Sequence, residues 1–209
     1  MVIALSVYEF IETIAYFYVD DVSRRGFLVD PGAEPDKLLS VIEEKNIVLE
    51  KILLTHGHFD HMGAADVLRQ KLNIPVCMRQ KGKDYVENPG LNLSMQTGRT
   101  ITLKDVVFLS DYSTIALKGG NEISLRVIPV EGHTEDGAVY YDEKNAIAFV
   151  GDSIFRNSYG ATHFPGGDEI KLLRDIKEKI LSLPDNTVLL SGHSEPTTVG
   201  EEKMRPWFA

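Results

Sequence analysis

The chain has 209 residues, 43% hydrophobic and 25% charged, which suits one domain over 1–209 with its own core and leaves no room for two. Its net charge of −9 comes from 22 basic and 31 acidic residues, with no dense Lys/Arg run, which excludes a protein that grips nucleic acid through its phosphates. One cysteine excludes an internal disulfide. No apolar run approaches the length of a bilayer span and the first residues carry no basic leader, so a cytoplasmic protein acting on a small molecule, away from membranes, is expected.

In chain order, residues 2–30 read as strands. Stretches 14–19 and 26–30, rich in β-branched and aromatic residues, form a hairpin that ends at Pro31-Gly32. Residues 34–45 form a helix with Leu38, Leu39, Val41 and Ile42 on its apolar face. Ile52-Leu53-Leu54 is a buried strand, 62–72 a helix and 73–78 a short strand. Strand, helix, strand, helix, strand therefore alternate from Phe27 to Met78, an α/β layering. Residues 80–87 form a short helix, and 91–99 are irregular and placed at a substrate entrance. Strands return at 106–109, 114–117 and 123–130, with Gly119-Gly120-Asn121 as a hairpin turn, then at 138–141 and 146–150. A helix over 168–182 carries Ile170, Leu173, Ile176 and Ile180 on one side, and Val188-Leu189-Leu190 is the last strand. Each half runs from strands into a helix and on to a strand ending in histidine, which predicts two stacked sheets with helices outside. Cys77 reads as a buried, inert thiol. Trp207-Phe208 packs on the body of the domain or against a second subunit, which leaves the oligomeric state open.

The chemistry concentrates in Thr55-His56-Gly57-His58-Phe59-Asp60-His61, between a strand and a helix. Imidazole and carboxylate are ligands of zinc and iron. In an extended turn, residues two apart point the same way, so His56 and His58 can grip one ion and leave Asp60 and His61 to face a second. The N-terminus of the following helix adds partial positive charge. A lone histidine in a turn is ordinarily a solvated side chain, but three of the chain's six fall here within six residues. His133, Asp152 and His193 repeat the theme, each following a glycine at the end of an apolar strand, where side chains converge on one rim of a sheet. Taken singly, each reads equally as a turn or capping residue. Together, five histidines and two aspartates suit a centre for two divalent ions with a shared carboxylate, and zinc, iron and manganese are all compatible with it.

His56-x-His58-x-Asp60-His61, followed by His133, Asp152 and His193, resembles the metallo-β-lactamase fold superfamily over almost the whole chain. Gly151-Asp152-Ser153-Ile154-Phe155-Arg156, Phe164-Pro165-Gly166-Gly167-Asp168 and Thr197-Thr198-Val199-Gly200-Glu201-Glu202 are similar to its small glyoxalase II-like (hydroxyacylglutathione hydrolase-like) branch. The resemblance implies a four-layer αβ/βα sandwich of two mixed sheets flanked by helices, with the metals at one edge. His56, His58 and His133 would hold the first ion, Asp60, His61 and His193 the second, with Asp152 between them. The expected reaction is hydrolysis of a thioester or ester: a hydroxide shared by two ions attacks the carbonyl, Asp60 orients it and accepts its proton, and a thiolate leaves. The alternative within the superfamily is a persulfide dioxygenase-like oxidoreductase with one iron on His56, His133 and Asp152. A lactonase or phosphodiesterase is a further one, and a non-catalytic metal-binding scaffold is the reading outside enzymes. The missing leader speaks against a secreted β-lactamase. The chain departs from the branch at Thr134-Glu135-Asp136-Gly137, where Thr-Pro-Gly-Ser is usual, and at Ala161-Thr162-His163, where Arg-Thr-Asp is. His163 is read as a loop residue. The helical domain with which full-length glyoxalase II holds glutathione has no counterpart, so the thiol half of the substrate stays open.

Overall fold

Strands form where β-branched and aromatic residues run together, and the computed structural model, which describes residues 1–118 and 123–208, arranges them in two six-stranded sheets and a small ribbon. The first sheet is β1 (Val2–Tyr8), β2 (Glu12–Val19), β3 (Arg25–Val29), β4 (Val48–Leu54), β5 (Val76–Arg79) and β6 (Val107–Leu109), in that order. β1 to β3 are antiparallel and β3 to β6 parallel. Parallel neighbours need crossovers. These are α1 (Pro35–Glu44), then α2 (Phe59–Met62) with α3 (Ala65–Leu72), then the segment containing α4 (Lys83–Glu87). The second sheet contains β7 (Thr114–Ala116), β8 (Ser124–Pro129), β9 (Ala138–Asp142) and β10 (Ile147–Gly151). The ribbon of β11 (Ile154–Phe155) and β12 (Ser158–Tyr159) follows, and then α5 (Glu169–Asp175) leads back through β13 (Val188–Ser191) and β14 (Thr197–Thr198) to α6 (Val199–Lys203). The order across this sheet is β14, β13, β10, β9, β8, β7.

The layers follow from the period of two in each strand. In β4, Ile52 and Leu54 pack outward with Leu38 and Leu68 of the helices, while Leu53 points inward. In β9, Tyr140 points inward to meet Tyr16, Tyr18 and Phe149, while Val139 and Tyr141 pack outward with Leu172, Ile176 and Val199. The result is the expected αβ/βα sandwich. Cys77 lies in the core between the sheets, where burial pushes its thiol up to about 11, as an inert thiol requires.

Two helix expectations change, and the irregular 91–99 stretch gains a framework. The helix over 62–72 is split, because the Ala64 amide donates to the Pro31 carbonyl, 2.9 Å, and leaves the helical ladder. The helix over 168–182 buries Leu172, Ile176 and Ile180, four residues apart, whereas Ile170 is 84% exposed, two residues out of phase. It also widens into π-type turns over Ile176–Ile180. The 91–99 stretch is tied down: buried Asn92 donates to the Tyr85 and Ile101 carbonyls, and its own carbonyl accepts from the Phe59 amide, 2.9 Å. The predicted turn at Gly119-Gly120-Asn121 lies outside the described residues. Phe208 packs on the second sheet's outer core against the Tyr159 ring. Among the described residues no helix is long and apolar enough to cross a membrane.

Candidate metal centre

β4 ends at Leu54, and the Thr55 carbonyl accepts from the Ala138 amide, 2.8 Å, which brings the 55–61 turn under the second sheet. His56 and His58 leave the turn before α2, and Asp60 and His61 ride on that single helical turn. With one turn in place of the expected long helix, little dipole is directed at the site. His133 sits between β8 and β9, Asp152 just beyond β10, and His193 just beyond β13. Glycine precedes all three for steric reasons. At Gly132, φ is +122° and a Cβ would meet the Leu172 amide at 2.4 Å, while at Gly192 it would meet the His61 ring at 2.5 Å.

All seven predicted donors converge. His58 Nδ1 lies 3.0 Å from His56 Nε2 and 3.1 Å from His133 Nε2. His61 Nε2 lies 3.3 Å from His193 Nε2 and 3.7 Å from Asp60 Oδ2, and His193 Nε2 lies 3.2 Å from Asp60 Oδ2. Asp152 stands between the groups, with Oδ1 3.3 Å from His61 Nε2 and Oδ2 3.2 Å from His193 Nε2 and 3.6 Å from His133 Nε2. Three sets of three donors result: His56, His58, His133; His56, His61, Asp152; and Asp60, His61, His193.

The hydrogen bonds behind the rings decide which nitrogen faces inward. His133 Nδ1 donates to the Ala161 carbonyl, 2.6 Å, and His193 Nδ1 to the Glu12 carbonyl, 2.6 Å. His61 Nδ1 donates to Asp30 Oδ2, 3.0 Å. The Thr55 hydroxyl donates to Asp30, 2.6 Å, and so accepts from His56 Nδ1, 3.2 Å. Four imidazoles are thereby set with their inner Nε2 unprotonated in the neutral form. The Nε2 lone pairs of neutral His61 and His193, 3.3 Å apart, repel unless a proton or a metal cation lies between them. Tetrahedral ligands at zinc's bond lengths are about 3.3 Å apart. Asp152 Oδ1, buried without a hydrogen-bond partner, adds an anionic donor at the same point. The residues fit divalent metal.

Electrostatics differ between the two sides. Burial, reinforced by neighbouring imidazoles, holds His56 and His58 below the ordinary range, His58 at about 3; burial lowers His133 as well. Burial also presses on His61 and His193, but Asp152 and Asp60 outweigh it, raising His61 well above its usual value and His193 to about 10. The second side thus carries protons among carboxylates that a divalent ion displaces.

Asp30 and Thr55 were missed in the sequence, although Val29-Asp30-Pro31 repeats the pattern of an acid after an apolar strand. The structure leaves His163 exposed and stacked on Phe164, centroids 4.1 Å apart, and the neighbouring Ala161 serves the site through its carbonyl. Phe164, 5.7 Å from the His58 ring, and Phe155, 6.0 Å from His193, are half-buried and wall the centre.

Asp136 is fully buried beside Gly57, and neither of its carboxyl oxygens has a partner in hydrogen-bond geometry. Burial pushes its carboxyl up to about 7, against weaker pulls from the Thr134 hydroxyl and the Asp136 and Gly57 amides. A folded value above the unfolded one means that stability is full below about pH 4 and is lost as pH rises towards 7. Asp136→Asn has the same shape and no charge. Its melting temperature is expected to match the parent's near pH 4 and exceed it near pH 8; an equal difference at both values rules out a buried charge as the cause.

Fold and donor set together define an α/β sandwich protein with a histidine–aspartate cluster able to hold metal. The chain belongs to the metallo-beta-lactamase superfamily, whose family model matches residues 13–193. It is 35% identical over 205 residues to the probable metallo-hydrolase YqgX of Bacillus subtilis, covering 95% of this chain and 93% of that one. It is 33% identical over 190 residues to the hydroxyacylglutathione hydrolase GloC of Haemophilus influenzae, covering 88% and 86%. Among solved structures it resembles the BLEG-1 B3 metallo-beta-lactamase, with a TM-score of 0.93 and 34% identity over the whole of both chains. It also resembles the di-iron-bound form of TTHA1623, with a TM-score of 0.85 and 31% identity over 98% and 99%.

Proposed function

We propose that this chain is a metal-dependent hydrolase of a small thioester or ester, with two divalent ions, zinc or iron (manganese also suits), held by His56, His58 and His133 on one side and Asp60, His61 and His193 on the other. The observation that carries this is the position of Asp152, whose carboxylate reaches donors of both groups within 3.6 Å. When bound by these residues, two such ions would supply water acidified enough to react at neutral pH and Lewis acidity for a carbonyl. Asp60, its Oδ2 held by the Thr13 hydroxyl at 3.3 Å, orients the attacking water and takes up its proton. Phe155 and Phe164 pack on the two sides of the substrate and exclude water. The single-iron oxidoreductase reading leaves Asp60, His61 and His193 gathered around one point with no ion to hold, so the geometry favours two. Similarity to the GloC hydrolase supports a thioester, and similarity to a di-iron-bound protein supports iron as well as zinc.

The test is elemental analysis of protein purified without chelators or added metal, run beside hydrolysis of a hydroxyacylglutathione thioester, a chromogenic β-lactam and a persulfide with oxygen uptake. About two ions per chain with thioester turnover is the expected result. One iron per chain with persulfide-dependent oxygen uptake overturns the hydrolase, and turnover confined to the β-lactam overturns the thioester.

A further inference from the structure

The donors of the first group come from both halves of the molecule: His56 and His58 from the turn after β4, His133 from the loop between β8 and β9. One buried cation stands between these segments. Leu54 of β4 pairs with Met78 of β5, so Arg79, the last residue of β5, lies at the sheet edge beside the 55–61 turn. Arg79 is only 3% exposed. Nη1 donates to the Glu135 carbonyl, 3.0 Å, and Nη2 to Glu131 Oε1, 2.6 Å. These two acceptors lie two residues after and two residues before His133. The remaining donors anchor the fork on Asp111, at 2.6 and 3.0 Å. Glu131 is also held by Lys81, 2.8 Å, and by Lys171, and the Glu135 amide donates to the Tyr85 hydroxyl, 3.1 Å.

We propose that Arg79 is a positioning residue for the first metal position: by clamping both ends of the 131–135 loop it keeps His133 Nε2 turned to His58 and His56. The proposal rests on the metal-site reading above. Only a planar fork can reach a side chain and a backbone carbonyl on opposite sides of one loop. None of Arg79's acceptors belongs to the turns that carry Asp60, His61, Asp152 or His193, so its effect is confined to the first position. A merely structural arginine would weaken both positions together with stability.

Zinc affinity measured by chelator competition in single-position backgrounds separates these cases. In the His193→Ala background, where the first position remains, Arg79→Met is expected to weaken zinc about 10- to 100-fold. In the His58→Ala background, where the second position remains, the same change leaves zinc affinity unaltered. Arg79→Lys keeps the contact with Glu131 and loses the fork, and falls between parent and Arg79→Met. Arg25→Met, which breaks the 2.5 Å Arg25–Glu50 pair at the opposite end of the sheet, shows what lost stability does by itself. Equal weakening at both positions, tracking the melting temperature as in Arg25→Met, overturns the proposal. Unchanged zinc affinity in folded Arg79→Met or Arg79→Lys in the first background also overturns it. A His193→Ala protein that binds no zinc overturns the metal-site reading, and Arg79's role with it.

Discussion

Replacing Asp152 by alanine is expected to lower thioester hydrolysis by about 10³-fold or more and to cost the protein at least one of its ions. Asp152 is 9% exposed, and its carboxylate lies 3.3 Å from His61 Nε2, 3.2 Å from His193 Nε2 and 3.6 Å from His133 Nε2. Without it, Asp60 still reaches His193 and His61 but no carboxylate links them to His133, and in the proposed hydrolase the several kcal/mol that paired ions would contribute to the transition state would be lost, at about 1.4 kcal/mol per decade of rate. His61 and His193 also lose one of the carboxylates that hold their protons, so both titrate at lower pH in metal-free protein, although Asp60 remains beside them. Elemental analysis and a continuous thioester assay on the same preparation check this. A variant with the parental metal load and turnover would show that the carboxylate has no part in the centre.

Asp30→Ala is expected to be the most damaging substitution for stability at the site, although Asp30 is none of the seven donors. Its carboxylate accepts from the Thr55 amide, 2.8 Å, the Thr55 hydroxyl, 2.6 Å, and His61 Nδ1, 3.0 Å, and it is 2% exposed. Truncation orphans three buried donors at about 1–3 kcal/mol each. Part of this is relieved by water, which leaves a loss of about 3–5 kcal/mol and a fall in melting temperature of about 10 °C. The backbone at Asp30 has φ +50°, which alanine tolerates less well than aspartate or asparagine. Asp30→Asn separates the two roles. It keeps one acceptor and the φ, so most stability is retained. If its amide nitrogen lies at the Oδ2 position, facing His61 Nδ1, it drives the ring's proton to Nε2, the nitrogen turned to the metal. Zinc affinity at the second position is then expected to fall about 10- to 100-fold with only a small change in melting temperature. Equal thermal losses in the two variants, or intact second-position affinity in Asp30→Asn, would sink this account of Asp30.

Much of the architecture was legible because the signals are local. β-Branched, aliphatic and aromatic runs bounded by polar or turn-forming residues mark β2, β3, β4, β8, β9 and β10, and a pairing rule then turns the alternation of strands and helices in the first half into a parallel sheet. The errors have local causes too. The helix after His61 breaks because its Ala64 amide goes to Pro31, and Ile170 faces water because the buried row runs through Leu172. Neither can be read from hydrophobic periodicity, which does not say where a distant carbonyl or a sheet face will lie.

The same division runs through the metal centre. The sequence by itself determined the donor types and their likeness to one another, since three histidines and an aspartate crowded into one turn have few uses besides holding a cation. Only the tertiary structure decided how those donors are presented. The proton on each ring is placed by a partner remote in the chain: Asp30 for His61, Ala161 for His133, Glu12 for His193. Two of those three partners are backbone carbonyls, which carry no residue-specific signature. The inward lone pair is set by a hydrogen bond on the far side of the ring; the bonds to Asp30 and Ala161 form only once each half has folded, and the bond from His193 to Glu12 only once the two sheets are packed face to face.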